Sequence, residues 1–90
     1  MEELHCQIYG RVQMVMFRDF VARHARSLGL VGYVRNRDHD SVEVVAQGPK
    51  ESLDKLLIYL HKGSLLSRVE RVDVAWRDQT SPFDAFTIQL

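Results

Sequence analysis

Gly10-Arg11-Val12-Gln13-Met14-Val15-Met16-Phe17-Arg18 joins two stretches of different periodicity, and that change of period decides the fold. Before it, Leu4, Cys6 and Ile8 alternate with His5, Gln7 and Tyr9, the two-residue repeat of a strand with one buried face. After it, Phe17, Phe20, Val21, Ala25 and Leu28 recur at three- and four-residue spacings, and Gly29 stands where a left-handed C′ residue ends a helix. The reading is a strand, a loop over Gly10–Phe17 and a helix of about three turns.

Further along, Leu30–Asn36 and Ser41–Gln47 flank the polar Arg37-Asp38-His39-Asp40, a hairpin whose second strand points Val42, Val44 and Ala46 at the core. Gly48-Pro49 opens a second helix with proline at its first helical position, and Leu53, Leu56, Leu57 and Leu60 form its buried stripe. His61, Lys62 and Gly63 close that helix. Val72, Val74 and Trp76 alternate through a fourth strand, and Phe86, Ile88 and Leu90 through a short fifth. The order is βαββαββ. Two helices with one apolar stripe each cover the same face of the sheet, because alternation leaves the other face polar. The predicted class is α+β: a ferredoxin-like sandwich with a mainly antiparallel sheet of four to five strands and two helices on one face.

Ninety residues suit a single domain spanning 1–90, since a chain of this size cannot build a second core. Twelve basic and twelve acidic residues balance to zero net charge, which argues against the broad positive field that holds nucleic acid or an anionic membrane. One cysteine, Cys6, forms no internal disulfide, and the sequence offers neither a signal-peptide core nor a long apolar span. The expectation is a cytoplasmic monomer.

A ferredoxin-like sheet hosts many functions, so the site has to choose among them. An RNA-recognition module stacks bases on aromatics of the open sheet face. Here the third strand offers Ser41, Glu43, Val45 and Gln47 there, and Tyr9 is the one aromatic assigned to that face. A metal carrier wants paired thiolates, whereas Cys6 is alone at a core-facing position. His5, His24, His39 and His61 fall on different elements without ligand spacing. No metal site and no cofactor are expected.

Arg18 stands at a helix start, where unpaired N–H groups and the positive end of the helix dipole converge on a bound anion. Many helices begin with an arginine that only meets water, so the layout alone is weakly specific. The opening stretch, followed by Gly32-Tyr33-Val34-Arg35-Asn36 and later by Phe83-Asp84-Ala85-Phe86, closely resembles the acylphosphatase family, small enzymes that hydrolyse carboxyl-phosphate anhydrides. The resemblance covers nearly the whole chain. It implies hydrolysis of a small-molecule acyl phosphate to carboxylate and inorganic phosphate, without metal or covalent intermediate.

By that resemblance Arg18 binds the phosphate and Asn36 positions the attacking water. Backbone N–H groups of Gln13, Met14, Val15, Met16, Phe17 and Arg18 complete the cradle, each bond to a charged oxygen contributing roughly 1.5–3 kcal/mol. The chemistry agrees with both assignments. Arginine presents a charged planar fork that matches two phosphate oxygens. An asparagine carbonyl accepts a hydrogen bond from water without repelling the anion. Arg11 is the rival cation, expected to brace the loop or face solvent, and Arg35 alternates to the face opposite Asn36.

Glycines are usual in the family where Met14, Met16 and Ala85 stand here. If Met14 takes positive φ, the loop carries a penalty of about 1–2 kcal/mol; if φ is negative, the two thioethers fill apolar gaps or wall the acyl pocket. A second reading follows: a catalytically weak anion-binding or protein-interaction domain on the same fold, favoured if the methionines distort or block the loop.

Overall fold

The computed structural model describes residues 2–38, 40–79 and 81–90. Seven elements follow one another: β1 (Glu2–Arg11), α1 (Phe17–Ser27), β2 (Val31–Asn36), β3 (Ser41–Gly48), α2 (Lys50–Lys62), β4 (Arg68–Asp78) and β5 (Phe86–Gln89). The strands form one sheet in the order β4-β1-β3-β2-β5, in which only the β2–β5 pair is parallel. This is the expected α+β ferredoxin-like sandwich.

The alternation of β1 sends Leu4, Cys6 and Ile8 into the core, where Val42, Val44 and Ala46 of the neighbouring β3 join them. Val21, Ala22 and Ala25 of α1 and Leu53, Leu56 and Leu60 of α2 close over them, so both helices lie on one face. Leu57 is only partly buried. Gly29 has φ 73° and its N–H donates to the Arg26 carbonyl, as the C′ position of α1 requires.

The structure corrects four expectations. The loop is shorter than Gly10–Phe17, because Gly10 and Arg11 still pair with Val69 and Arg68 of β4 after a register shift at Tyr9/Gly10. Gly10 has φ 129°, and a Cβ there would meet the Arg68 carbonyl oxygen at 2.1 Å; only glycine fits this bulge. Pro49 is the N-cap of α2, extended at φ −63° and ψ 142°, rather than its first helical residue. Val74 and Trp76 are exposed, since β4 is an edge strand that the helices cover incompletely.

The fourth correction concerns the face away from the helices. Tyr33 is a second aromatic there beside Tyr9, and its ring meets that of Phe83 edge-on at 5.7 Å. Gln47 is buried: its Nε2 donates to Glu3 Oε1 and the Ser81 carbonyl, and its Oε1 accepts from Phe83 N–H. The connection to β5 therefore covers part of the polar face. Arg35 does alternate to this face as expected, where its Nε donates to Glu43 Oε1 at 2.5 Å. His39 lies outside the described residues.

Candidate active site

With β1 running through Arg11, the loop that precedes α1 comprises residues 12–16. Val12 is buried in the core and anchors one end, and Phe17, also buried, anchors the other. Between them Met14 (φ 60°) and Met16 (φ 61°) are left-handed, and among the described residues they alone take positive φ without being glycine. The open question about Met14 is settled: φ is positive. Each such residue costs about 1–2 kcal/mol, which a fold carries where the shape of the loop matters.

Met16 is the N-cap of α1, and no side chain caps this end. A serine or aspartate here would bind one of the first N–H groups and contribute about 1 kcal/mol. Instead the first helical bond runs from Phe20 N–H to the Met16 carbonyl. Among the described residues none of the N–H groups from Gln13 to Asp19 donates to a backbone acceptor. Donors and helix dipole together make this end electropositive.

Arg18 joins them on the first turn. A cleft of about 300 Å³ is lined by Val12, Met14, Met16, Phe17, Arg18, Asp19 and Ile88. The Arg18 Nη1 donates to the carbonyl of Gln89 at 3.1 Å, which ties the guanidinium to β5. Gln89 lies opposite Arg35 in the parallel β2–β5 pair, so Asn36 is the next residue along. Asn36 does not itself line the cleft. Its Oδ1 is buried and accepts no hydrogen bond from a described residue.

Gln13 does something the sequence did not reveal. Its side-chain Nε2 donates to the carbonyls of Arg37, Asp38 and Ser41 at 2.6–2.9 Å. The loop before α1 is thus held to the turn that follows Asn36. Ile88 and the Gln89 carbonyl were missed as well, because β5 reaches the cleft only through its parallel pairing with β2. Arg11 is exposed, as expected. Burial pushes the Cys6 thiol up to about 12, so it is no nucleophile. Among the described residues no three His, Cys, Asp or Glu side chains come together as a metal site.

The acylphosphatase pattern matches residues 4–88, a span that includes the loop, Arg18 and Asn36. The chain belongs to the acylphosphatase family. It is 41% identical over 88 residues to a Salinibacter ruber protein named acylphosphatase, covering 98% of this chain and 93% of that one. A Thiobacillus denitrificans acylphosphatase is 48% identical over 75 residues, covering 83% and 84% of the two chains. The crystal structure of acylphosphatase from Bacillus subtilis superimposes with a TM-score of 0.96 at 33% identity and covers both chains completely. No helix among the described residues is long and apolar enough to cross a membrane.

Proposed function

We propose that the cleft at the start of α1 hydrolyses acyl phosphates, with Arg18 and the loop N–H groups binding the phosphoryl group and Asn36 holding the water. An acyl phosphate is a hydrolase substrate with a good leaving group, so the protein's share is positioning and electrostatics. The observation that carries the reading is the uncapped, left-handed loop, whose N–H groups from Gln13 to Asp19 have no backbone acceptor among the described residues and which lines one cleft together with Arg18. Two donors of the Arg18 fork span two phosphoryl oxygens, and loop N–H groups take the remainder.

The buried Oδ1 of Asn36 accepts a hydrogen bond from the attacking water and aims a lone pair at phosphorus. A bond forms from the water oxygen to phosphorus as the phosphorus–oxygen bond to the acyl group breaks. Its electron pair leaves on the carboxylate, and the water's proton passes to a phosphoryl oxygen. Gln13 keeps cradle and water-holder in register through its three carbonyl acceptors. In this reading Met14 and Met16 keep the backbone shape that glycine gives the family, and Met14 projects into solvent instead of filling the cleft. The reading keeps the expected cytoplasmic monomer, and a free, buried Cys6 accords with a reducing compartment.

Release of carboxylate and phosphate from acetyl phosphate by the purified protein tests the proposal, with Arg18→Ala as control. Turnover that vanishes in the control is expected; turnover that survives at the wild-type level assigns the activity elsewhere.

A further inference from the structure

Among the described residues sulfur occurs in Cys6, Met14 and Met16, and the three are placed very differently. Cys6 is buried in the core and its thiol is pushed up to about 12, so an oxidant in solution finds neither access nor thiolate. Met14 and Met16 are 99% and 68% exposed, and both line the phosphate cleft with Arg18. Neither belongs to the core, and at φ 60° and 61° neither suits the backbone on which it stands. Two open thioethers thus stand where a new polar atom meets a row of N–H groups, Gln13 to Asp19, that have no backbone acceptor among the described residues.

We propose that Met14 and Met16 form a reversible oxidation site through which hydroperoxides weaken the enzyme's hold on its substrate. The proposal rests on the hydrolytic reading of the cleft. A thioether sulfur attacks the terminal oxygen of the hydroperoxide, and a sulfur–oxygen bond forms as the oxygen–oxygen bond breaks. The proton of the attacked oxygen passes to the departing one, which leaves as water or an alcohol; sulfur loses two electrons and the peroxide gains them. The sulfoxide oxygen is a strong acceptor where the thioether was a weak one. Met16 is the N-cap of an end that no side chain caps, and Met14 stands two residues before it, so the donors nearest the new oxygens are the N–H groups assigned to phosphate. A sulfoxide bonded to them has to be displaced before a phosphoryl group binds. Reduction by a thiol-dependent sulfoxide reductase removes the oxygen as water, leaves a disulfide on the reductase and returns the donors. Glycine, usual at both positions in the family, gives a peroxide nothing to oxidise, so the site belongs to this chain.

Hydrogen peroxide is the probe, with peptide mass mapping to locate each added oxygen. In the oxidised wild type, KM for acetyl phosphate and the dissociation constant of inorganic phosphate should both rise about fivefold, the size of one hydrogen bond, while kcat stays within about twofold. Two methionine sulfoxide reductases, one for each epimer, should restore both constants, an arm that needs no variant. A Met14→Leu, Met16→Leu double variant, compared only with its own untreated sample, should not respond, although Met1 and Cys6 remain in it. The proposal is overturned if neither methionine gains oxygen, if the constants of a wild type oxidised at both stay where they were, or if the double variant responds equally. A fall in kcat with KM unmoved overturns it too, since oxidation would then distort the loop instead of occupying its donors. If the untreated wild type hydrolyses no acetyl phosphate, the hydrolytic reading falls, and the phosphate dissociation constant alone decides the oxidation site.

Discussion

The two helices of this protein start in the same way by hydrogen bonding and in opposite ways by conformation. In α1 the first bond runs from Phe20 N–H to the Met16 carbonyl, and in α2 from Leu53 N–H to the Pro49 carbonyl, each at 3.0 Å. Neither end has a side-chain cap. Pro49 sits at φ −63°, where its ring places it without strain, whereas Met16 sits at φ 61° behind a second left-handed methionine. The cations differ too. Lys50 pairs with Asp54 at 3.2 Å and covers the Trp76 ring at 4.9 Å, while among the described residues Arg18 reaches only a neutral carbonyl. A helix needs no strain in order to begin, and the strain and charge at α1 are what the proposed phosphate site calls for.

Breaking the contrast at its strongest point gives the largest effect. Arg18→Ala should lower kcat/KM for acetyl phosphate by about 10²–10³ or more, whereas Lys50→Ala should leave it within about twofold, because its ion pair is exposed and contributes little. Steady-state kinetics on the two variants, with melting curves to confirm folding, decide it. Equal losses would mean that the start of α1 has no special role.

Next in size is Asn36→Ala. Turnover should drop about a hundredfold while inorganic phosphate inhibits almost as before, since in the proposed mechanism the residue serves the water and not the anion. Phosphate affinity that collapses in step with turnover would place Asn36 in the cradle instead.

A smaller effect sharpens the conformational side of the comparison. Met14→Gly relieves about 1–2 kcal/mol of left-handed strain and gives back about 0.5–1 kcal/mol in unfolded-chain entropy. The melting temperature should rise by a few degrees, and phosphate affinity or turnover should rise with it. Pro49→Gly should do the reverse, because proline already matches the extended backbone at α2. A fall in stability for Met14→Gly would show that the loop is not strained at this residue.

How much of this could be read beforehand varies with how local the cause is. β1 and α1 were legible because each shows one uninterrupted period and the boundary between them is a change of period. Arg18 stands just past that boundary, but its layout alone is weakly specific, and only the family resemblance singles it out as the proposed phosphate ligand. The sign of φ at Met14 was not legible, since a methionine alone gives no hint of left-handed backbone. Trp76 alternates like a core residue, yet its exposure depends on β4 being an edge. Ile88 and Gln89 reach the cleft through strand pairing across half the chain, and periodicity carries no information about which strands become neighbours. The side chain of Gln13 bonds three carbonyls more than twenty residues away, a contact that only the closed fold creates.

The smallest effect lies where the two helices meet. His24 of α1 stacks on Tyr59 of α2 with ring centroids 3.8 Å apart. Burial, then the positive charges of Arg23 and Lys62, hold its imidazole below the usual value. The unfolded chain therefore takes up this proton first as the pH falls. The stability from neutral His24 is complete above about pH 6.5 and is lost as the pH drops through the lower folded value. Denaturant unfolding at pH 7.5 and pH 5 should show a decline that His24→Phe makes shallower; an unchanged slope would remove His24 as its source.

The bond from Arg18 to the Gln89 carbonyl bears on the timing of turnover. A guanidinium carries five N–H donors, and this one engages β5 through Nη1, so donors remain for an arriving phosphate without release of the first. In the proposed site this contact would hold the side chain in place before substrate arrives and after phosphate departs, which would spare each cycle the rotamer entropy of capturing a free arginine. On that proposal, loading and emptying the site would require no swinging part, and the strength of the anion's own hydrogen bonds would govern product release.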